Sequence, residues 1–134
     1  IADNRDENGD GFWISVTSGQ TVRFSMRQGR LLKEWDIDSG LLKTNTPQHI
    51  VFIIDGISNI ITSVVNGKFC DGGITRKWGW CRFDKHFGDL NSSRKIVLSP
   101  SFSGEIIKFK IYNRYLTTSE AIGHYRYETF FDMN

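Results

Sequence analysis

The chain has 134 residues, 39% hydrophobic and 24% charged, with 17 basic side chains against 15 acidic ones. That is enough for one domain with a core of its own. The near-even charge balance argues against nucleic acid as a partner, and with no apolar run of about 18 residues no membrane span is expected.

The first residue is Ile1 rather than Met, and no basic segment leads into an apolar one. The chain is therefore expected to be a processed product or a piece of a longer polypeptide. Residues 1–11 read as a polar leader. Within it, Asp6-Glu7-Asn8-Gly9-Asp10-Gly11 follows the first half of a calcium loop, D-x-(D/N)-x-(D/N)-G. Asp6, Asn8 and Asp10 are the candidate Ca2+ ligands, with Asp3 as a further oxygen donor. The twelfth position of such a loop is Thr17 rather than Glu, so the bidentate ligand is absent. The competing reading is a frayed, solvated leader.

Alternation then dominates. Phe12 to Thr17 is a predicted strand, followed by a Ser18-Gly19-Gln20 turn. Thr21 to Arg27 is the next, with Val22, Phe24 and Met26 on one face. Gln28-Gly29 turns the chain, and Leu31 to Trp35 returns it.

Glu34-Trp35-Asp36-Ile37-Asp38 places Glu34, Asp36 and Asp38 on one face of a regular strand, neighbours about 6.6–7 Å apart. Carboxylates at that separation can cleave glycosidic bonds. Trp35, the aromatic of the motif, points to the opposite face, and Ser39-Gly40 breaks the strand at once. The bland alternative is a wet acidic face beside a turn. Arg23, Arg27, Arg30 and Lys33 cluster nearby in sequence; they suit an anionic glycan or simply a solvated sheet face.

Gln48 to Asp55 is nearly all apolar, the pattern of a strand buried on both faces. Asn59 to Asn66 follows Asp55-Gly56, and Asn66-Gly67 is a strong hairpin signal.

The segment from Cys70 to Asn91 is a long excursion. It holds Trp78, Trp80, Phe83 and Phe87 among Asp71, Arg76, Lys77, Arg82, Asp84, His86 and Asp89. Aromatic faces with a few placed polar groups describe a ligand platform. On an extended stretch, Trp78 and Trp80 share a face. The alternative is a plug at the rim of the fold. Ten residues separate Cys70 from Cys81, which is neither a redox pair nor a zinc spacing. A local disulfide is expected in a secreted setting, two buried thiols otherwise.

Strands resume at Lys95 to Ser99 and Gly104 to Asn113. Thr117-Thr118-Ser119-Glu120 is a capping box that starts a helix running to about Tyr125. Many short strands and one terminal helix predict an all-β fold: a two-sheet antiparallel jelly-roll sandwich.

His49 to Gly56 (HIVFIIDG) with Val65-Asn66-Gly67 resembles the "HVAFVVDG…VNG" core of laminin-G-like, concanavalin A-like jelly rolls. Gly104-Glu105-Ile106, then Ile111-Tyr112-Asn113-Arg114-Tyr115-Leu116 and Glu120, resembles that family's closing signature. The likeness covers about Gln48 to Tyr127. It implies a single extracellular domain, often appended to secreted hydrolases and sulfatases. Such domains begin with a further strand before the equivalent of Phe12. That strand is either missing here or taken by Phe12 to Thr17, and an open sheet edge is expected to be covered by a neighbouring chain or the parent polypeptide. Some glucanases of this shape carry E-x-D-x-E, where this chain has Asp38 at the last position.

The preferred reading is a non-catalytic, secreted carbohydrate-binding or accessory module. Trp78 and Trp80 would stack on a glycan, with Arg82, Asp84 and Asp71 as polar contacts. One alternative is a glycoside hydrolase using Glu34 and Asp36. Another is a purely structural domain with buried tryptophans.

Overall fold

A computed structural model describes residues 1–90, 95–98 and 102–131. Asn91 and Ser99, where two of the expected segments end, lie outside them. The described residues form β1 (Ala2–Asp3), β2 (Gly11–Val16), β3 (Val22–Gln28), β4 (Leu31–Asp36), β5 (Ile50–Asp55), β6 (Ile60–Val65), β7 (Lys68–Phe69), β8 (Trp80–Arg82), β9 (Val97–Leu98) and α1 (Thr118–Phe131). The strands make two antiparallel sheets, β4-β3-β2-β1-β9 and β5-β6-β7, with β8 also paired to β6. This is the all-β, two-sheet class with a C-terminal helix that the sequence predicts.

One sheet belongs to a compact unit of Ile1–Asp36 and Phe83–Ile111. In it, β2 and β3 pair Phe12 with Met26, Ile14 with Phe24 and Val16 with Val22. Val22, Phe24 and Met26 are buried as their alternation requires, and the Phe12 and Phe24 rings stack at 6.0 Å. Burying each such side chain is worth about 1.5–3 kcal/mol. The turns fall where the sequence puts them, Gln20 and Gly29 both taking positive φ.

The leader corrects an expectation. Residues 1–11 are not a frayed tail: Ala2 and Asp3 form a strand between β2 and β9. Ala2 is buried, and the Asn4 side-chain carbonyl accepts the Phe12 N–H at 2.7 Å. A polar sequence can still supply a strand, because the ladder is made by its backbone. The opposite correction applies at 104–113, which belongs to no strand among the described residues. Ile107 and Ile111 are exposed there. Alternation assigns faces, but a strand also needs a neighbour for its N–H and C=O groups.

The other unit comprises Ile37–Arg82 and Tyr112–Asn134. β5 and β6 pair from Ile50↔Val65 to Asp55↔Ile60. Ile53, Val64 and Ala121 form a buried cluster with Val51 and Ile122 against it, so α1 covers this sheet. Elsewhere β5 is half-buried, not enclosed on both faces as its run of apolar residues suggests. The Asn66-Gly67 turn has positive φ at both residues. Any Cβ on Gly67 would strike the Tyr125 ring of α1. The capping box is made in both directions: Thr117 Oγ1 accepts the Glu120 N–H at 3.2 Å, and Glu120 accepts the Thr117 N–H at 2.7 Å. The helix runs past Tyr125 to Phe131.

Candidate functional site

β7 and β8 lie on the same edge of β6. Lys68 and Phe69 face Val65 and Val64, and the Cys70 N–H bonds the Ser63 carbonyl at 3.0 Å. Trp80, Cys81 and Arg82 then face Thr62, Ile61 and Ile60. Counting along β6, Trp80 takes the place directly after Cys70. β7 and β8 are thus one strand, interrupted by residues 71–79, which leave and return at a narrow neck in the manner of an Ω-loop. The neck requires glycine. A Cβ on Gly79 would overlap the Cys70 carbonyl oxygen and come within 2.7 Å of the Asp71 Cα.

Asp38 holds the loop from below. It is 6% exposed, and its two carboxylate oxygens accept the Gly72 N–H at 3.2 and 3.1 Å. The Arg76 guanidinium donates to the same carboxylate at 2.8 Å. The Arg76 N–H bonds the Gly72 carbonyl at 3.0 Å, and Thr75 Oγ1 donates to that carbonyl as well. Gly72 has φ of 104°, and a Cβ there would lie 2.5 Å from the Arg76 carbonyl oxygen. Such a turn is open to glycine almost alone.

The loop and its return strand present two indoles. The Trp78 and Trp80 rings lie 6.2 Å apart and tilted by 36°, the separation of an interacting aromatic pair. Trp78 is 56% exposed and Trp80 37%. Each ring carries a cation: Lys77 Nζ is 5.2 Å from the Trp78 ring centre and Arg82 Cζ 5.9 Å from that of Trp80. Trp78, Trp80 and Arg82 therefore come together. Asp71 stands at the start of the loop, where its Oδ1 accepts the Gly73 N–H at 3.0 Å. Asp84 belongs to the other unit. There it accepts the His86 N–H and contacts the His86 ring, which hold its pKa below the usual carboxylate range.

Glu34, Asp36 and Asp38 do not share a face. The ladder ends at Asp36, because Ser39-Gly40 follows, and Asp38 turns inward to the loop. Arg23 holds the other two. Its Nε donates to Asp36 at 2.6 Å and its Nη1 to Glu34 at 3.2 Å. Thr21 Oγ1 adds a bond to Asp36, and Ser25 Oγ one to Glu34. The paired carboxylates raise the Arg23 pKa, Asp36 foremost. The oxygens that a catalytic pair would turn toward a substrate are thus already engaged by one guanidinium.

The candidate calcium residues build the β1–β2 connection. Asp6 Oδ1 accepts the N–H groups of Asn8 at 2.9 Å and Asp10 at 3.0 Å, and Asp10 Oδ1 accepts that of Gly29 at 3.0 Å. Among the described residues no group of three or more His, Cys, Asp or Glu is placed to hold a metal ion. The expected disulfide is also corrected: Cys70 and Cys81 are thiols. Cys70 is buried against β6, so its sulfur behaves as a small apolar group.

Sequence reading missed the roles of Asp38, Lys77 and Arg76. A signal for the first existed: an acidic residue just past a strand, with a Gly72-Gly73 pair elsewhere whose backbone N–H groups need acceptors.

No protein-family profile matches the chain, and no curated protein does. Among solved structures, a fragment (residues 221–444) of an S-layer domain-containing protein from Clostridium thermocellum is similar at 16% identity, with a TM-score of 0.41 over 93% of this chain. The chain spans 61% of that fragment's length. Among the described residues, no helix is long and apolar enough to cross a membrane.

Proposed function

We propose that the chain is a non-catalytic, extracellular glycan-binding module of a larger protein. The observation that carries this reading is the Trp78–Trp80 pair: two indoles, 56% and 37% exposed, one on a loop fixed by a buried carboxylate and one at the start of its return strand. Leaving so much aromatic surface in water forgoes the gain of burying it. Holding it there in one geometry prepares a stacking surface before any ligand arrives. The C–H faces of sugar rings fit such a surface, and their hydroxyls suit the polar groups beside it. The laminin-G-like motifs support the extracellular setting. The alternative of cleavage by Glu34 and Asp36 is disfavoured by the Arg23 guanidinium bonded to both.

The test is a glycan array probed with the intact chain, followed by Trp80→Ala on any ligand found. Loss of binding in the variant supports the reading. Retained affinity, or an array with no ligand at all, overturns it.

A further inference from the structure

We infer that the glycan is an acidic one, carrying carboxylate or sulfate groups, which Lys77 and Arg82 read while the indoles stack on its rings. The inference rests on the glycan-binding reading and specifies its ligand. It follows from what the loop leaves available. Between Cys70 and Arg82 there is one carboxylate, Asp71, and one of its oxygens already accepts the Gly73 N–H. Arg76 is taken by Asp38, and the Thr75 hydroxyl donates to Gly72. Beside the rings stand Lys77 and Arg82, one on each indole, and among the described residues neither lies in an ion pair.

Both groups donate hydrogen bonds and neither accepts them. A neutral sugar presents hydroxyls, which ask for acceptors as much as donors. A uronic or sulfated sugar presents anionic oxygens, which match donors only. Bonds of that kind are roughly twice as strong as neutral ones, and a guanidinium can grip a carboxylate or sulfate with two of them. The cations are also placed for it. Each sits within about 6 Å of an indole centre, the reach of a cation–π contact, so an anion bound to it lies beside the ring on which its sugar stacks. One cation at each indole fits successive charged units of a chain better than a single terminal group.

The experiment titrates the intact chain, by tryptophan fluorescence and calorimetry, with three hexasaccharides: a neutral β-linked glucose hexamer, a galacturonic acid hexamer and a heparin hexamer. Each is run at about 0.1 M and about 1 M salt, where screening differs severalfold. At least one acidic hexamer should bind about tenfold or more tighter than the neutral one, and lose that advantage at high salt. The two acidic arms tell carboxylate from sulfate recognition. Lys77→Gln with Arg82→Gln should remove the advantage, bringing the acidic hexamers to the affinity of the neutral one. Equal affinity for neutral and acidic hexamers, or an unchanged preference in the double variant, overturns the inference while the glycan-binding reading stands. Binding by no hexamer overturns the inference, and the glycan array decides the glycan-binding reading separately. Acidic binding that survives Trp78→Ala with Trp80→Ala also overturns the inference, since charge alone would then account for it.

Discussion

The Asp38 carboxylate and the Arg76 guanidinium meet at 2.8 Å, with side chains 8% and 25% exposed. They join the segment that follows β4 to a loop 38 positions further along the chain. The last of the three carboxylates in the Glu34-Trp35-Asp36-Ile37-Asp38 motif is thus a structural anchor. It accepts one backbone N–H and one cation, and it supplies the geometry in which two tryptophans stand exposed.

Asp38→Ala should therefore do two things at once. It leaves the Gly72 N–H and the Arg76 guanidinium without their acceptor, at a cost of about 2 kcal/mol. It also frees the loop, so tryptophan emission should shift and proteolysis between residues 71 and 79 should quicken. Urea unfolding followed by fluorescence measures the first effect and limited digestion the second. An Asp38→Ala protein with unaltered midpoint and digestion would mean that the anchor holds nothing.

The neck makes a separate prediction. Gly79→Ala places a methyl group against the Cys70 carbonyl, and Gly72→Ala places one 2.5 Å from the Arg76 carbonyl at a φ of 104°. Backbone cannot yield as a flexible side chain does. Each substitution should cost roughly 1–3 kcal/mol. By contrast Gly40→Ala, with nothing within 4 Å of the added atom, meets only the penalty of its positive φ. Comparing the three by thermal unfolding separates crowding from backbone preference.

What could be read in advance follows the range of the interactions. The hairpins were legible because their determinants are local: alternation fixes Val22, Phe24 and Met26 on one face, and Asn66-Gly67 fixes a turn. The helix start was legible for the same reason, since Thr117 and Glu120 cap it within one turn. The fate of 104–113 was not, because a strand depends on a partner elsewhere in the chain. Nor was the leader, whose strand is set by contacts with residues 13–14 and 97–98. At the site, two tryptophans two apart announced a shared face, and the rings do adjoin. That Cys70 and Trp80 take consecutive places along β6, and that Asp38 reaches the loop, are matters of register and distance in space.

The two thiols should behave unequally. Cys70 is 1% exposed, whereas Cys81 is half-buried in β8. A thiol reagent added to the native chain should modify Cys81 first. Cys70 should react at a rate set by opening of the β7 edge, and both should react quickly in denaturant. A denatured chain with no titratable thiol, unless first reduced, would show the cysteines bridged after all.

The helix N-terminus carries the clearest pH dependence. Arg114 bonds both oxygens of Glu120, and the Thr117 N–H adds a third contact. Together, with the Arg114 bonds foremost, they bring the Glu120 pKa from 4.5 down to about 2. A folded-state pKa below the unfolded one means stability that is complete above about pH 4.5 and lost as the pH falls toward about 2. Helix content followed by circular dichroism should therefore decline in that window. Glu120→Gln keeps an oxygen for the Thr117 N–H but has no proton to gain. Its helix should be weaker at neutral pH and should lack this group's share of the acid transition. A variant whose acid profile overlays the parent's would assign that transition to other carboxylates.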